Sequence, residues 1–352
     1  MNKDSILIAM SGGVDSAVSA YLTAQKHDHA AGVTMQLTSR NVGSEAAARR
    51  DIEGAATVCR LLGIPHYVAE LGDIFRRTVV DYFISAYEAG ETPNPCVYCN
   101  KVIKFGALLD FATANGFERL ATGHYARIET SATGRMLLRR AADTTKDQTY
   151  VLYALSQTTL ARCEFPLGSL SKAETRTIAD QMQFPMAHQK DSQDICFVPD
   201  GDYASFILRM TGKTPTPGNF VSLDGTVLGE HKGQLHYTIG QRKGLGISLG
   251  KPAFVTAKSV LHNTVTLGDN ADLFTARLTI RDINLIPFDR MDSPMRLLAK
   301  ARYRQEACHA RVEQTDEHTL TVEFETPQRA ICPGQSLVLY DGDYVIGGGI
   351  IT

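Results

Sequence analysis

An apolar run at residues 5–10 (SILIAM) stops at Ser11-Gly12-Gly13-Val14-Asp15-Ser16, and a helical pattern starts inside that hexapeptide. No other feature narrows the fold as much. A short apolar run bounded by glycine reads as a buried strand; Val14, Val18, Tyr21 and Leu22 fall near helical spacing, so residues 15–25 read as a helix. Glycines between strand and helix let backbone N–H groups approach an anion, and the helix N-terminus adds partial positive charge. Ser11 and Ser16 supply hydroxyl donors. Ionised Asp15 cannot donate to phosphate, so it serves a Mg²⁺ ion or caps the helix.

The alternation continues. Strands are expected at residues 31–37, 65–71 and 119–122, with helices at 45–62, 73–87 and 101–115. That order predicts a parallel sheet with helices on both faces. The glycine loop is not a Walker loop: Gly212-Lys213 and Gly250-Lys251 have Ile207 and Leu245 where the earlier glycine would stand. Nor does a G-x-G-x-x-G follow the first strand.

At 352 residues the chain is long enough for two or three domains. With 43% hydrophobic and 21% charged residues it can bury a core, which excludes a wholly disordered or coiled-coil chain. No apolar run nears the roughly 20 residues that span a bilayer, and the first is too short for a secretory signal. Seven cysteines, an odd count, argue against a disulfide framework and for a reducing, cytoplasmic setting. The texture changes near residue 202, where glycine, proline and threonine rise. Domains are expected at 1–202, 203–275 and 276–352. Residues 254–260 and 264–268 read as a hairpin around His262-Asn263; 296–312, 319–325 and 336–340 read as strands, with turns at 341–342 and 347–349.

Net charge is -2, but between residues 203 and 258 seven basic side chains face only Asp224 and Glu230. A second basic stretch holds Arg296, Lys300, Arg302, Arg304 and Arg311. Local positive charge in an otherwise acidic chain suits phosphate-backbone contacts, or else a solvated basic face.

Cys96 and Cys99 sit just before a predicted helix, with Lys101 and Lys104 following. Helix N-terminus and lysines together predict lowered thiol pKa values. No second C-x-x-C completes a zinc site; Cys59, Cys163, Cys308 and Cys332 read as small buried apolar groups.

The SGGVDS loop resembles the PP-loop of ATP pyrophosphatases, which split ATP into AMP and pyrophosphate. Six further segments narrow this: 92–105 (TPNPCVYCNKVIKF), 121–127 (ATGHYAR), 146–153 (KDQTYVLY), 192–197 (SQDICF), 237–246 (YTIGQRKGLG) and 333–335 (PGQ). Their order, nearly end to end, is similar to that of the tRNA-specific 2-thiouridylases, which thiolate uridine 34 of the anticodon. The resemblance implies an adenine nucleotide alpha-hydrolase-like N-terminal domain, a small mainly β central domain that binds tRNA, and a C-terminal β-barrel. It implies ATP held by Ala9, Met10, Ser11, Gly12, Gly13, Val14, Asp15 and Ser16, with Met35 and Gly123 at the adenosine, and Mg²⁺ beside the phosphates. It implies a persulfide on Cys196, Cys99 as its disulfide-forming partner, and Asn94, Pro95 and Cys96 at the flipped base with His124 nearby. Lys146, Asp147, Gln148, Tyr303, Arg304 and Gln335 would contact tRNA of the Lys, Glu or Gln type. A cysteine desulfurase or sulfur-relay protein would supply sulfur.

One departure is Cys96, which stands where many family members carry an Asp proposed as general base. Cys96, Cys99 and Cys196 could instead ligate an iron–sulfur cluster, since thiolates are the usual cluster ligands. The alternative function is another PP-loop ligase acting on a small metabolite, a reading that leaves Cys99, Cys196 and the basic region without a role.

Overall fold

The computed structural model describes residues 5–38, 42, 44–189 and 195–352. Residues 192–194 of the SQDICF segment lie outside the described residues; Ile195, Cys196 and Phe197 lie within them.

Four strands come first: β1 (Ser5–Ala9), β2 (His29–Gln36), β3 (His66–Glu70) and β4 (Arg119–Thr122). A hairpin follows, β5 (Ala126–Thr130) and β6 (Met136–Arg140), then the short β7 (Cys163–Glu164). Strands 1–4 and 7 form one parallel sheet in the order β3-β2-β1-β4-β7. The strand order reverses at β1, and ligands of open α/β sheets sit at such a switch point, beyond the carboxyl ends of the strands. Ile6, Leu7 and Ile8 are fully buried, as expected of a central strand covered on both faces.

The helices sit close to their expected places. The first spans Val14–Ala24 and the second Glu45–Leu62, the latter capped by Ser44 and ended by Gly63 in the left-handed conformation. The helix expected at 101–115 begins earlier, at Pro95–Cys99, widens to π-helical geometry over Asn100–Ala107, and closes as Leu108–Ala114.

The central region holds β8 (Gly218–Val221), β9 (Val227–His231), β10 (Phe254–Ser259) and β11 (Thr264–Gly268), in the order β10-β11-β8-β9. The expected hairpin is β10–β11. The C-terminal strands are β12 (Phe274–Leu285), β13 (Met295–Lys300), β14 (Cys308–Asp316), β15 (Thr319–Arg329), β16 (Ser336–Asp341) and β17 (Tyr344–Ile351). They close into a six-stranded antiparallel barrel through pairing of β12 with β17. The β5–β6 hairpin of the first domain joins this sheet along β17.

Two expectations fail here. Residues 296–312 are two strands, broken at 301–307 by the turn that carries Tyr303 and Arg304. Gly347–349 are not a turn but the middle of β17. A Cβ at Gly348 would overlap Leu337 O and stand 3.0 Å from the Tyr153 ring; one at Gly349 would stand 2.6 Å from Arg281 O. The glycines are there because barrel closure crowds the backbones, a reason invisible in the local sequence.

Candidate functional site

The glycine loop leaves β1 at the switch point. Gly12 has φ +74°, and a Cβ there would stand 2.9 Å from the Asp51 backbone, so only glycine fits. Gly13 is the N-cap of the first helix and supplies no side-chain cap, so the helix's leading N–H groups keep their capacity for an anion. Ser16 Oγ donates to Gly13 O at 2.9 Å and accepts from Ser11 N at 3.2 Å, which braces the loop. Gly123, just after β4, lies against the loop from the other side: a Cβ there would be 3.0 Å from the Asp15 carbonyl carbon. Met35, at the end of β2, is half-buried between two apolar clusters. Thus Ala9, Met10, Ser11, Gly12, Gly13, Val14, Asp15, Ser16, Met35 and Gly123 gather at the carboxyl edge of β1, β2 and β4.

Asp15 is not the helix cap. Its carboxylate pairs with Lys172 Nζ at 2.7 Å and accepts from Tyr125 Oη at 3.0 Å, while Tyr125 Oη also reaches Thr175 Oγ1 at 3.0 Å. Sequence reasoning passed over Lys172, Tyr125 and Thr175. The available signal was Ser171-x-x-Glu174, a capping box that starts a helix and sets Lys172 at its first position. The cradle fits a polyphosphate: uncapped helix N–H groups, hydroxyls and a lysine. It also fits the needs of Mg²⁺, which is usually held by one or two carboxylates plus substrate phosphates, since Asp15 brings a carboxylate to the cradle.

The second cluster is made of thiols. Asn94 caps the helix Pro95–Cys99, accepting from Cys96 N at 3.1 Å, with buried Pro95 at its first position. Cys96 and Cys196 are exposed, Cys99 is half-buried, and all three are free thiols. They lie close enough to act on one another electrostatically although Cys196 is far along the chain. The expected low thiol pKa values are reversed. Desolvation pushes Cys99 up to about 12 and Cys196 up to about 11, and raises Cys96; Lys104 opposes each shift and loses. Cys96 and Cys196 therefore sit in a cleft, reachable from outside yet walled by protein, where burial outweighs a helix end and one ammonium. Lys101 is exposed and does not contribute. Among the described residues no three His, Cys, Asp or Glu side chains are arranged to hold a metal ion, the three thiols included.

His124 lies beneath this cleft, 7% exposed, its ring against Phe105 and Phe165. Gln335 Nε2 donates to Thr92 O at 2.7 Å, and Thr92 N donates to Pro333 O at 2.8 Å, so the PGQ turn of the barrel braces the segment before Asn94. Gln148 Oε1 accepts from Tyr125 N, and Asp147 accepts from Ala141 N and Thr149 Oγ1; Lys146 lies on the same loop, half-buried. Tyr303 is 40% exposed, stacked edge-on against Tyr150, with its hydroxyl 3.5 Å from Asp147 O. Its pKa is raised by burial, then by Asp147 and Cys96, which places the barrel turn over the thiol cleft. Arg304, Arg242 and Lys243 are exposed.

The rest of the basic stretch is occupied internally. Arg296 pairs with Glu325, Arg311 with Glu313, Lys300 lies over Tyr150 and Tyr303, and Arg302 reaches Cys332 Sγ at 2.9 Å. Cys332 is therefore more than an apolar filler, and Cys308 is only half-buried.

Comparison with known proteins agrees with this layout. Residues 4–200 match the family model "tRNA methyl transferase HUP domain", 204–269 the "tRNA methyl transferase PRC-barrel domain" and 275–351 the "Aminomethyltransferase beta-barrel domain". The chain is 45% identical to tRNA-specific 2-thiouridylase MnmA of Clostridioides difficile (strain 630), over 100% of this chain and 98% of the relative. It is also 45% identical to the protein of that name from Clostridium acetobutylicum, over 100% of both. A solved structure, the U34-tRNA thiolase NcsA from Methanococcus maripaludis with its [4Fe-4S] cluster, is a remote likeness at 18% identity, TM-score 0.36, over 60% of this chain and 70% of that one.

Proposed function

The chain belongs to the tRNA-specific 2-thiouridylase family, and from that premise we propose how its residues divide the work of thiolating uridine 34. It is a tRNA sulfurtransferase on a PP-loop nucleotide-binding fold, and such enzymes use ATP with Mg²⁺. Among the described residues no helix is long and apolar enough to cross a membrane.

ATP lies with its phosphates on Ser11, Gly12, Gly13 and Ser16 and its adenosine toward Met35 and Gly123. Uracil O2 attacks the α-phosphorus, pyrophosphate leaves, and a poor leaving group becomes AMP. A Mg²⁺ ion held by Asp15 and the phosphates would neutralise charge there when bound. The Cys196 persulfide, loaded by a cysteine desulfurase or relay protein, attacks C2 with its terminal sulfur and expels AMP. Cys99 thiolate then attacks Cys196 Sγ, forming the Cys99–Cys196 disulfide and leaving 2-thiouridine. A thiol reductant restores both cysteines. Splitting the exchange into activation and displacement lowers each barrier. Asn94, Pro95 and Cys96 border the flipped base, and Lys146, Asp147, Gln148, Tyr303, Arg304 and Gln335 line the tRNA side, Asp147, Gln148 and Gln335 as braces of their loops. Cys96, with a raised pKa, is a poor general base and serves as part of the wall.

The convergence of Cys96, Cys99 and Cys196, together with an intact phosphate loop, carries this reading. Its test combines protein, ATP, tRNA, cysteine and a desulfurase, and measures AMP and 2-thiouridine. AMP formation that requires tRNA, and thiolation lost when uridine 34 is replaced by cytidine, are expected. AMP formation without tRNA, stimulated by a small metabolite, would instead establish the ligase alternative.

A further inference from the structure

Building on that proposed function, we infer that Thr122, His124 and Lys104 form a relay that holds the Lys104 ammonium against the three thiols, making Lys104 a positioning residue for sulfur transfer. Lys104 Nζ stands 3.5 Å from His124 Nε2, and His124 Nδ1 stands 2.7 Å from Thr122 Oγ1. An ammonium has only hydrogens to offer, so Nε2 accepts; Nδ1 then carries the proton and donates to Thr122. The imidazole is therefore neutral. Burial, reinforced by Lys104, holds its pKa far below the ordinary value, which keeps it an acceptor at any working pH. A ring this enclosed, with both nitrogens engaged, has no polar atom to offer a tRNA base. It acts through Lys104.

The helix geometry supports the placement. Lys104 follows Cys99 by five residues on the π-helical stretch Asn100–Ala107, whose i→i+5 pitch returns it toward the same side. Phe105 and Phe165 wall the imidazole, so the lysine has one fixed anchor. The titratable groups facing the thiols come from every neighbouring element. Among the described residues they are Lys104 on the same helix and Tyr303 on the barrel turn, with His124 behind Lys104 and Asp147, Lys146 and Arg304 around Tyr303. Among the described residues Lys104 is the cation acting on all three thiols. The Cys196 persulfide and the Cys99 thiolate each attack as an anion, and a fixed ammonium favours those anions in a cleft that otherwise opposes them.

Site-resolved alkylation tests this on the reduced full-length protein without nucleotide, tRNA or sulfur donor. Iodoacetamide labelling of Cys96, Cys99 and Cys196 is followed by mass spectrometry between about pH 7 and 10, with Cys308 as internal reference. Lys104→Met should slow labelling of the three thiols about tenfold at a given pH, the effect of one pKa unit. Lys104→Arg should restore it, and His124→Leu should slow it in the same direction. Because His124 is buried, the Lys104 pair carries the decision. A Lys104→Met profile equal to wild type at all three thiols overturns the inference. The outcome is separable from the function itself: wild-type protein that forms no AMP with tRNA would sink the proposed function while leaving the thiol result standing.

Discussion

The phosphate loop and the thiol cleft are built on opposite terms. The loop is local: six consecutive residues, one strand end and one helix start supply nearly all its donors. The cleft is assembled from the helix Pro95–Cys99, the segment at Cys196 and a barrel turn at Tyr303, and its chemistry depends on how much protein surrounds it. Residue identity therefore sets the character of the first site, whereas burial sets that of the second. A helix N-terminus and a lysine lower a thiol pKa in an open setting; here desolvation reverses the sign.

Four experiments bear on that contrast. Cys196→Ser should remove 2-thiouridine by at least about 10³-fold, the scale of a lost nucleophile, while AMP formation falls far less; equal losses would mean the two sites are not separable. Asp15→Ala should cut tRNA-dependent AMP formation about 10²–10³-fold, the scale of a lost preorganised electrostatic contact. Its cost in denaturant stability should stay near 1 kcal/mol or below, because the Lys172 pair is partly exposed. Alkylation of Cys99 should rise about tenfold per pH unit from neutrality and level off only near its raised pKa of about 12. A plateau near pH 8 would return the cleft to the open-helix reading. The smallest effect is expected for Arg304→Ala, which should lower the salt slope of tRNA binding by about 0.7–0.9 without altering ATP binding. The same substitution at Arg296, already paired with Glu325, should leave the slope as it was.

Most of the parallel sheet was legible in the chain. Strand β4 falls at the expected residues 119–122 and the second helix at 45–62, because burial on two faces and capping residues leave local marks. The barrel was less so. Strand β12 went unread, since Phe274–Leu285 alternates weakly and bends at Asp282, whose φ is +53°. The β5–β6 hairpin gave no sign that it extends the barrel sheet. Of the site, the loop and the three cysteines were visible as motifs. Lys172 and Tyr125 were not, nor was the seat of Lys104 on His124, because an ion pair across 157 positions and a lysine resting on a buried imidazole have no sequence signature.

By itself the sequence determined the strand–loop–helix start, the phosphate-binding hexapeptide, the thiols available for sulfur chemistry and the resemblance that joins them. These are encoded in contiguous residues, where backbone freedom and side-chain type suffice. Only the tertiary structure decided that Asp15 faces Lys172, that the glycines 347–349 close a barrel, and that the basic stretch is mostly occupied internally. It also decided that the thiols are held protonated rather than activated. The reason is common to all four: each depends on the distance and dielectric between groups far apart in the chain, and those quantities do not exist until the chain has packed.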